Sequence, residues 1–201
     1  TWMAIIAVFP LPGTIFLAYT QTNFGHRTIK RLVQARISET KDLIRQDEAV
    51  LEALAADSSG TDDLHRYCSR SGCFPICANP DVRYFPLGEL AFDGMLEELE
   101  KAEHFIYLEY FIIDEGEMWG SILSILSRKA AEGVDVRVMY DGMCEITTLS
   151  HDYPDRLQKL GIRAKAFSPI TPFVSTHYNY RDHRKILVID GMVAFTGGVN
   201  L

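Results

Sequence analysis

The chain has little positive charge: 20 lysines and arginines stand against 27 aspartates and glutamates, a net charge of −7 over 201 residues. That deficit argues against bulk affinity for nucleic acid, which needs a basic surface to displace counterions, but leaves room for a small basic pocket holding one phosphate. Paired C-x-x-C units are also missing. Cys68, Cys73, Cys77 and Cys144 are too irregularly spaced for a zinc pattern and read as free thiols in a reducing compartment. A metal or disulfide cluster over Cys68–Cys77 is the alternative. Nothing else calls for a metal, and no cofactor is expected. Internal repeats and low-complexity tracts are absent. Charge is missing altogether from residues 1–25, where Trp2–Tyr19 is apolar at nearly every position.

Such a run approaches the length needed to cross a bilayer. Pro10 and Pro12 would break a buried core helix, whereas a membrane segment tolerates proline when neighbours satisfy the freed carbonyls. Trp2 and Tyr19 stand where interfacial aromatics belong, and no basic region precedes the run as in a signal peptide. Residues 1–25 are therefore expected to form a membrane-associated segment. His26, Arg27, Lys30, Arg31 and Arg36 follow directly, and an excess of Arg and Lys beside a span marks the cytoplasmic side. The rest of the chain is expected there.

Ile29, Val33, Ile37, Thr40, Ile44, Val50, Leu51 and Leu54 recur at three- or four-residue steps, which predicts an amphipathic helix over 28–56. It would lie on the membrane surface, pack on the main domain, or serve as a solvated connector. Thr61-Asp62-Asp63 is a cap with acidic first-turn residues and predicts a second, short helix toward Ser71-Gly72. Residues 26–78 thus form a helical connector, and the main domain spans 79–201.

There the pattern alternates: Val82–Phe85 extended, Phe92–Ala102 helical, Phe105–Ile113 a strand, Gly120–Glu132 helical and Val134–Tyr140 a strand. Pro154–Leu160 follows as a helix, Ile162–Phe167 as a strand, and Lys185–Ile189 with Val193–Thr196 as a hairpin. The alternation predicts an α/β layered sandwich, with helices covering a largely buried sheet.

The residues that carry chemistry lie in Tyr178–Asn200, which contains H-x-K-x4-D-x6-G-G-x-N without a gap. Two residues apart on a strand share a face, so His183 and Lys185 point together into one pocket. The imidazole can form a phosphoryl-enzyme, and the ammonium can neutralise charge building on the equatorial oxygens. Gly197 and Gly198 let backbone N–H groups approach a phosphate, and Asn200 can donate to it. Asp190-Gly191 between two apolar runs predicts a tight hairpin turn, which accounts for Gly191 and leaves Asp190 divided between turn former and site-supporting carboxylate. Glu109, a carboxylate inside an apolar strand, either lines the pocket or bonds the backbone. His151 and His177 read as ordinary surface or core histidines.

With these residues at this spacing the chain resembles the phospholipase D superfamily, and the run Asn179–Leu201 is similar to bacterial cardiolipin synthases. The similarity extends to Ala102–Ile112, Gly133–Gly142 and the apolar N-terminus. It implies a phospholipase D-like mixed sheet flanked by helices, with His183 as nucleophile, Lys185 and Asn200 as phosphate ligands, and Asp190 as the third signature residue. The implied reaction makes cardiolipin from two phosphatidylglycerols at a bacterial cell membrane, through a phosphohistidine and with release of glycerol. Hydrolysis of phospholipid or nucleic acid, and a non-catalytic membrane-tethered module, are the rivals. The family commonly has a small or glycine-rich turn after Asp141-Gly142, where this chain has Met143-Cys144. It also works with two such motifs, and this chain has one. Beginning at Thr1 and ending directly after the glycine pair, the chain reads as the first, truncated half of such an enzyme. Its expected partners are phospholipid, membrane, and either the missing half or a second copy of the chain.

Overall fold

The computed structural model describes residues 2–21, 31, 34–40, 43, 46–57, 60–72, 75–77, 81–169 and 181–201. They divide into two compact units, Thr1–Tyr84 and Phe85–Leu201.

In the first unit the expected single span is instead two short helices, α1 (Trp2–Val8) and α2 (Pro10–Gln21). Pro10 lacks an N–H and suits the first turn of a new helix better than the middle of an old one. The second helix folds back along the first. At Gly13 a Cβ would stand 3.0 Å from Ile6 Cα, so only glycine admits this approach, and the Trp2 and Phe16 rings meet at 5.5 Å. Among the described residues no helix is long and apolar enough to cross a membrane.

The predicted continuous helix over 28–56 is also divided. Residues 34–40 are helical, and α3 (Glu48–Ala55) begins afresh where the Asp47 carboxylate accepts the Ala49 N–H at 3.0 Å. Just before it, the Gln46 amide exchanges bonds of 2.8 and 2.9 Å with the backbone of Ile76. Ile29, Val33 and Ile44 lie outside the described residues. The predicted second helix is α4 (Thr61–Gly72).

The second unit runs α5 (Gly88–Glu100), β1 (Phe105–Tyr110), α6 (Glu117–Ala131), β2 (Asp135–Asp141), α7 (Cys144–Thr147), α8 (Tyr153–Lys159), β3 (Arg163–Phe167), β4 (Lys185–Ile189) and β5 (Val193–Thr196). Residues 82–85, expected to be extended, join no strand pair. The sheet order is β3-β2-β1-β4-β5; β1, β2 and β3 are parallel, β4 runs against them, and β5, antiparallel to β4, runs with them again. The C-terminal ends of the three parallel strands therefore emerge along the edge where β4 begins, with Lys185 opposite Tyr110.

Ile106, Leu108 and Tyr110 of β1, Val136, Val138 and Tyr140 of β2, and Leu187 and Ile189 of β4 are buried in one core. Met95 and Leu99 of α5, Trp119, Ile122 and Leu126 of α6, and Tyr153 and Leu157 of α8 belong to it. Among the described residues these helices cover one face of the sheet. On the other face Tyr107, Glu109, Arg137, Met139, Ile186 and Val188 line an open groove of about 590 Å³. The reason lies in the alternation: the odd-numbered positions of β1 and β2 include a hydroxyl, a carboxylate and a guanidinium, which a dry helix interface would not accept unpaired.

Candidate active site

Residues 181–184 precede β4 without joining its ladder, and His183 there is exposed. Lys185, the first residue of β4, is only 4% exposed. Its ammonium turns back to donate to the His183 carbonyl at 2.9 Å and lies 3.2 and 3.4 Å from the two imidazole nitrogens. The structure thus brings His183 and Lys185 together. Phe111, directly after β1, completes the corner: its ring centroid lies 4.7 Å from that of His183 and 5.1 Å from the Lys185 ammonium. No carboxylate among the described residues reaches that ammonium. A buried cation is costly to leave without an anion, so the corner is electrostatically prepared for one.

Asn200 approaches the same strand end. Its Oδ1 accepts the Ile112 N–H at 3.2 Å, Leu201 N–H bonds the Ile112 carbonyl at 3.3 Å, and Asp114 N–H bonds the Leu201 carbonyl at 2.9 Å. These bonds hold the G-G-x-N segment beside the backbone that carries Phe111 and leave the Asn200 amino group free of the Ile112 bond. At Gly197 and Gly198 a Cβ would meet nothing within 4 Å among the described residues, whose packing therefore does not demand glycine at either place.

Asp190 and Glu109 are placed elsewhere. Asp190 lies at the opposite end of β4 from His183, at φ +53° followed by Gly191 at +70°, in a turn closed by Met192 N–H to Ile189 C=O at 3.0 Å. Its carboxylate accepts the N–H groups of Glu103, His104 and Phe105 at 2.7–2.8 Å, fastening the start of β1. Burial would raise its pKa, but these three donors outweigh burial and lower it.

Glu109 pairs in register with Ile186 and so faces the open groove, on the side of the sheet away from Lys185. Its Oε1 stands 2.7 Å from Arg184 Nη2, an ion pair without hydrogen-bond geometry. Burial, then a hydrogen bond and repulsion from Asp182, raise the Glu109 carboxyl to about 7, with Arg184 pulling the other way. Burial also disfavours the Asp182 carboxylate, but bonds from Arg184 and Glu109 prevail and hold it at about 2.

Four further residues matter that sequence reasoning did not single out. Asp141, Arg181 and Asp182 form a buried cluster immediately before His183, and Phe111 supplies the stacking ring. The odd loop Met143-Cys144 contributes through its backbone and thiol: Met143 N–H bonds Asp141 at 2.9 Å, and the buried Cys144 Sγ donates to the Phe111 carbonyl at 3.3 Å. Gly142 is fixed by packing, since a Cβ would lie 2.6 Å from Pro169 Cα. Cys68 and Cys77 are exposed free thiols; Cys73 and His177 lie outside the described residues.

A family model described as cardiolipin synthase, PLD-like domain matches residues 95–201, which takes in the His183–Lys185 corner, β1 to β5 and the G-G-x-N segment. The chain belongs to this phospholipase D-like family. A Streptococcus mutans relative, named only as an uncharacterized protein, is 56% identical over all 201 residues, which are 44% of its length. Proteins named cardiolipin synthase from Alkalihalophilus pseudofirmus and Geobacillus thermodenitrificans are 35% and 33% identical over 100% of this chain and 40% of their own length. The chain therefore spans about two fifths of the length of the curated relatives it matches. As a phospholipase D-like chain it presents one imidazole–ammonium pair at the mouth of a mixed sheet.

Proposed function

We propose that this chain is the nucleophile-bearing half of a phosphatidyltransferase that makes cardiolipin. The observation that carries the reading is an exposed imidazole against a buried ammonium that no described carboxylate partners. His183 attacks the phosphorus of one phosphatidylglycerol; the P–O bond to glycerol breaks, and glycerol leaves as it takes a proton from an acid supplied by the other half or by a second copy. The phosphatidyl group is held as a phosphohistidine. The hydroxyl of a second phosphatidylglycerol then attacks that phosphorus, gives its proton back to the group that protonated the glycerol, and the P–N bond breaks to free the imidazole. Lys185 neutralises the equatorial oxygens in both steps. Asn200 donates to the phosphate, and the open space at Gly197 and Gly198 lets it come close. The basic stretch after residue 25 supports a cytoplasmic position for the domain at a bacterial membrane.

The test uses the full-length polypeptide, this chain extended by the segment that its relatives carry beyond it, with phosphatidylglycerol in vesicles. Cardiolipin and glycerol should form, acid quench should be avoided, and alkaline quench should trap a phosphohistidine that His183→Ala removes. Phosphatidic acid as the main product would make it a hydrolase. Near-normal turnover by His183→Ala would overturn the mechanism.

A further inference from the structure

We propose that Asp141 is the positioning residue of this site, holding the backbone immediately before His183 so that the imidazole meets Lys185 and Phe111. The inference rests on the reading of His183 as nucleophile and adds to it a residue outside the H-x-K motif. Asp141 ends β2 and is 0% exposed. Its Oδ2 accepts the Asp182 N–H at 3.0 Å, while Oδ1 accepts the Met143 N–H at 2.9 Å and the Arg181 Nη1 at 3.2 Å. Arg181 reaches on to the Ser168 carbonyl, at 2.9 Å, just beyond β3. One buried carboxylate thus ties the ends of β2 and β3 to the two residues that precede the nucleophile.

The tie is needed because residues 181–184 have no ladder partner: β4 begins its pairing only at Lys185. With Asp182 fixed on one side and Lys185 on the other, His183 has little backbone freedom left. Asp182 spends its own carboxylate on Arg184, whose N–H, Nε and Nη2 it accepts at 3.2, 2.8 and 3.0 Å. That clamp turns Arg184 toward Glu109 and leaves the ring of the preceding residue on the Phe111 side. An aspartate is required because all three donors point at acceptor oxygens; an asparagine must oppose one N–H with another and removes the charge of the Asp141–Arg181 ion pair.

Asp141 touches neither the reacting atoms nor the imidazole, so its loss should misplace the nucleophile and leave substrate binding in place. A displacement of about 1 Å costs on the order of a hundredfold in rate. In the full-length enzyme, Asp141→Asn is expected to lower kcat about tenfold or more with KM within about threefold of the parent, and to slow phosphohistidine formation by the same factor. The pH–rate profile should keep its shape, since no titrating catalytic group is removed. Arg181→Gln should lower kcat less, and the double variant should be no worse than Asp141→Asn alone, as expected of residues in one network.

Independently of turnover, the nuclear Overhauser contact between the His183 and Phe111 rings should weaken in Asp141→Asn while thermal unfolding remains cooperative. Full rate and an intact ring contact in a folded Asp141→Asn would overturn the proposal, as would a loss confined to KM. If that variant does not fold, Arg181→Gln is measured in its place, and an unchanged kcat and ring contact there overturn it equally. The ring contact separates the two ideas: a parent whose turnover survives His183→Ala defeats the functional reading, whereas a dead His183→Ala beside a full-rate Asp141→Asn defeats only the positioning role.

Discussion

At the scale of single residues, chemistry and stability pull against each other. Lys185 is buried with no carboxylate among the described residues to pair it, an arrangement that costs folding free energy and is kept where an anion must arrive. Replacing it with Met should leave the melting temperature unchanged or raise it, while kcat of the full-length enzyme falls about 10²–10³-fold, the usual loss when one charge-stabilising donor is removed. A parallel loss of stability and rate would mean that Lys185 holds structure alone. Glu109 gives a second residue-scale expectation, this one in pH. Its carboxyl is raised from 4.5 to about 7. Between those values the folded chain holds a proton that the unfolded chain releases, so the stability it contributes is fully present below about 4.5 and lost as pH rises through about 7. Glu109→Gln keeps the neutral form at every pH; it should raise the melting temperature at pH 8 relative to the parent and change it little at pH 4.5. The H-x-K pair was legible because residue type and a spacing of two suffice to describe it. Asp141, Arg181 and Asp182 were not, because their partners lie about 40 positions apart in the chain and nothing local announces the contact.

At the scale of elements, the sequence located most of the strands and helices of the second unit and missed where they stop being helix or strand in the first. Alternation of apolar and polar positions is a local signal, and it located β1, β2, β3, β4 and β5 within a few residues. The break at Phe9–Pro10 and the fresh start at Asp47 depend on competition between continuing a helix and satisfying a cap or a fold-back contact, which periodicity alone does not weigh. The same weighing decides Asp190. As signature residue and as turn former it was equally readable from sequence; the geometry places its carboxylate on the N–H groups of Glu103, His104 and Phe105, at the other end of β4 from the imidazole. Asp190→Ala removes three acceptor bonds and puts a Cβ-bearing residue with no local hydrogen bond at φ +53°. The expected cost is about 2–4 kcal/mol of unfolding free energy, measured by denaturant titration, a sum of one lost cap and a strained turn. The His183–Phe111 ring contact should survive in whatever fraction remains folded. Retention of full stability would show that the turn and the β1 anchor are dispensable.

At the scale of the whole molecule, the proposed mechanism takes His183 as nucleophile and Lys185 as its electrostatic partner, and it leaves one proton unaccounted for. A glyceroxide is a poor leaving group unless it is protonated in the transition state, and a positioned acid commonly contributes about two to four powers of ten in rate. The sequence has a single H-x-K, and the only described carboxyl raised to about 7, Glu109, faces the far side of the sheet. These 201 residues are about two fifths of the length of the named relatives. Turnover by the chain alone is therefore expected to fail as a monomer. If two copies associate with their His183-bearing edges together, two-fold symmetry brings a second imidazole to the first, and weak activity should appear that depends on concentration and vanishes when His183→Ala chains are mixed in excess. The full-length polypeptide should turn over phosphatidylglycerol at least a hundredfold faster than the isolated chain, in line with the contribution of a general acid. Size-exclusion fractions of this chain, assayed separately for cardiolipin and free glycerol, provide the measurement. A monomer fraction as fast as the full-length protein would place the proton donor within this chain and send the search back to its own carboxyls and histidines.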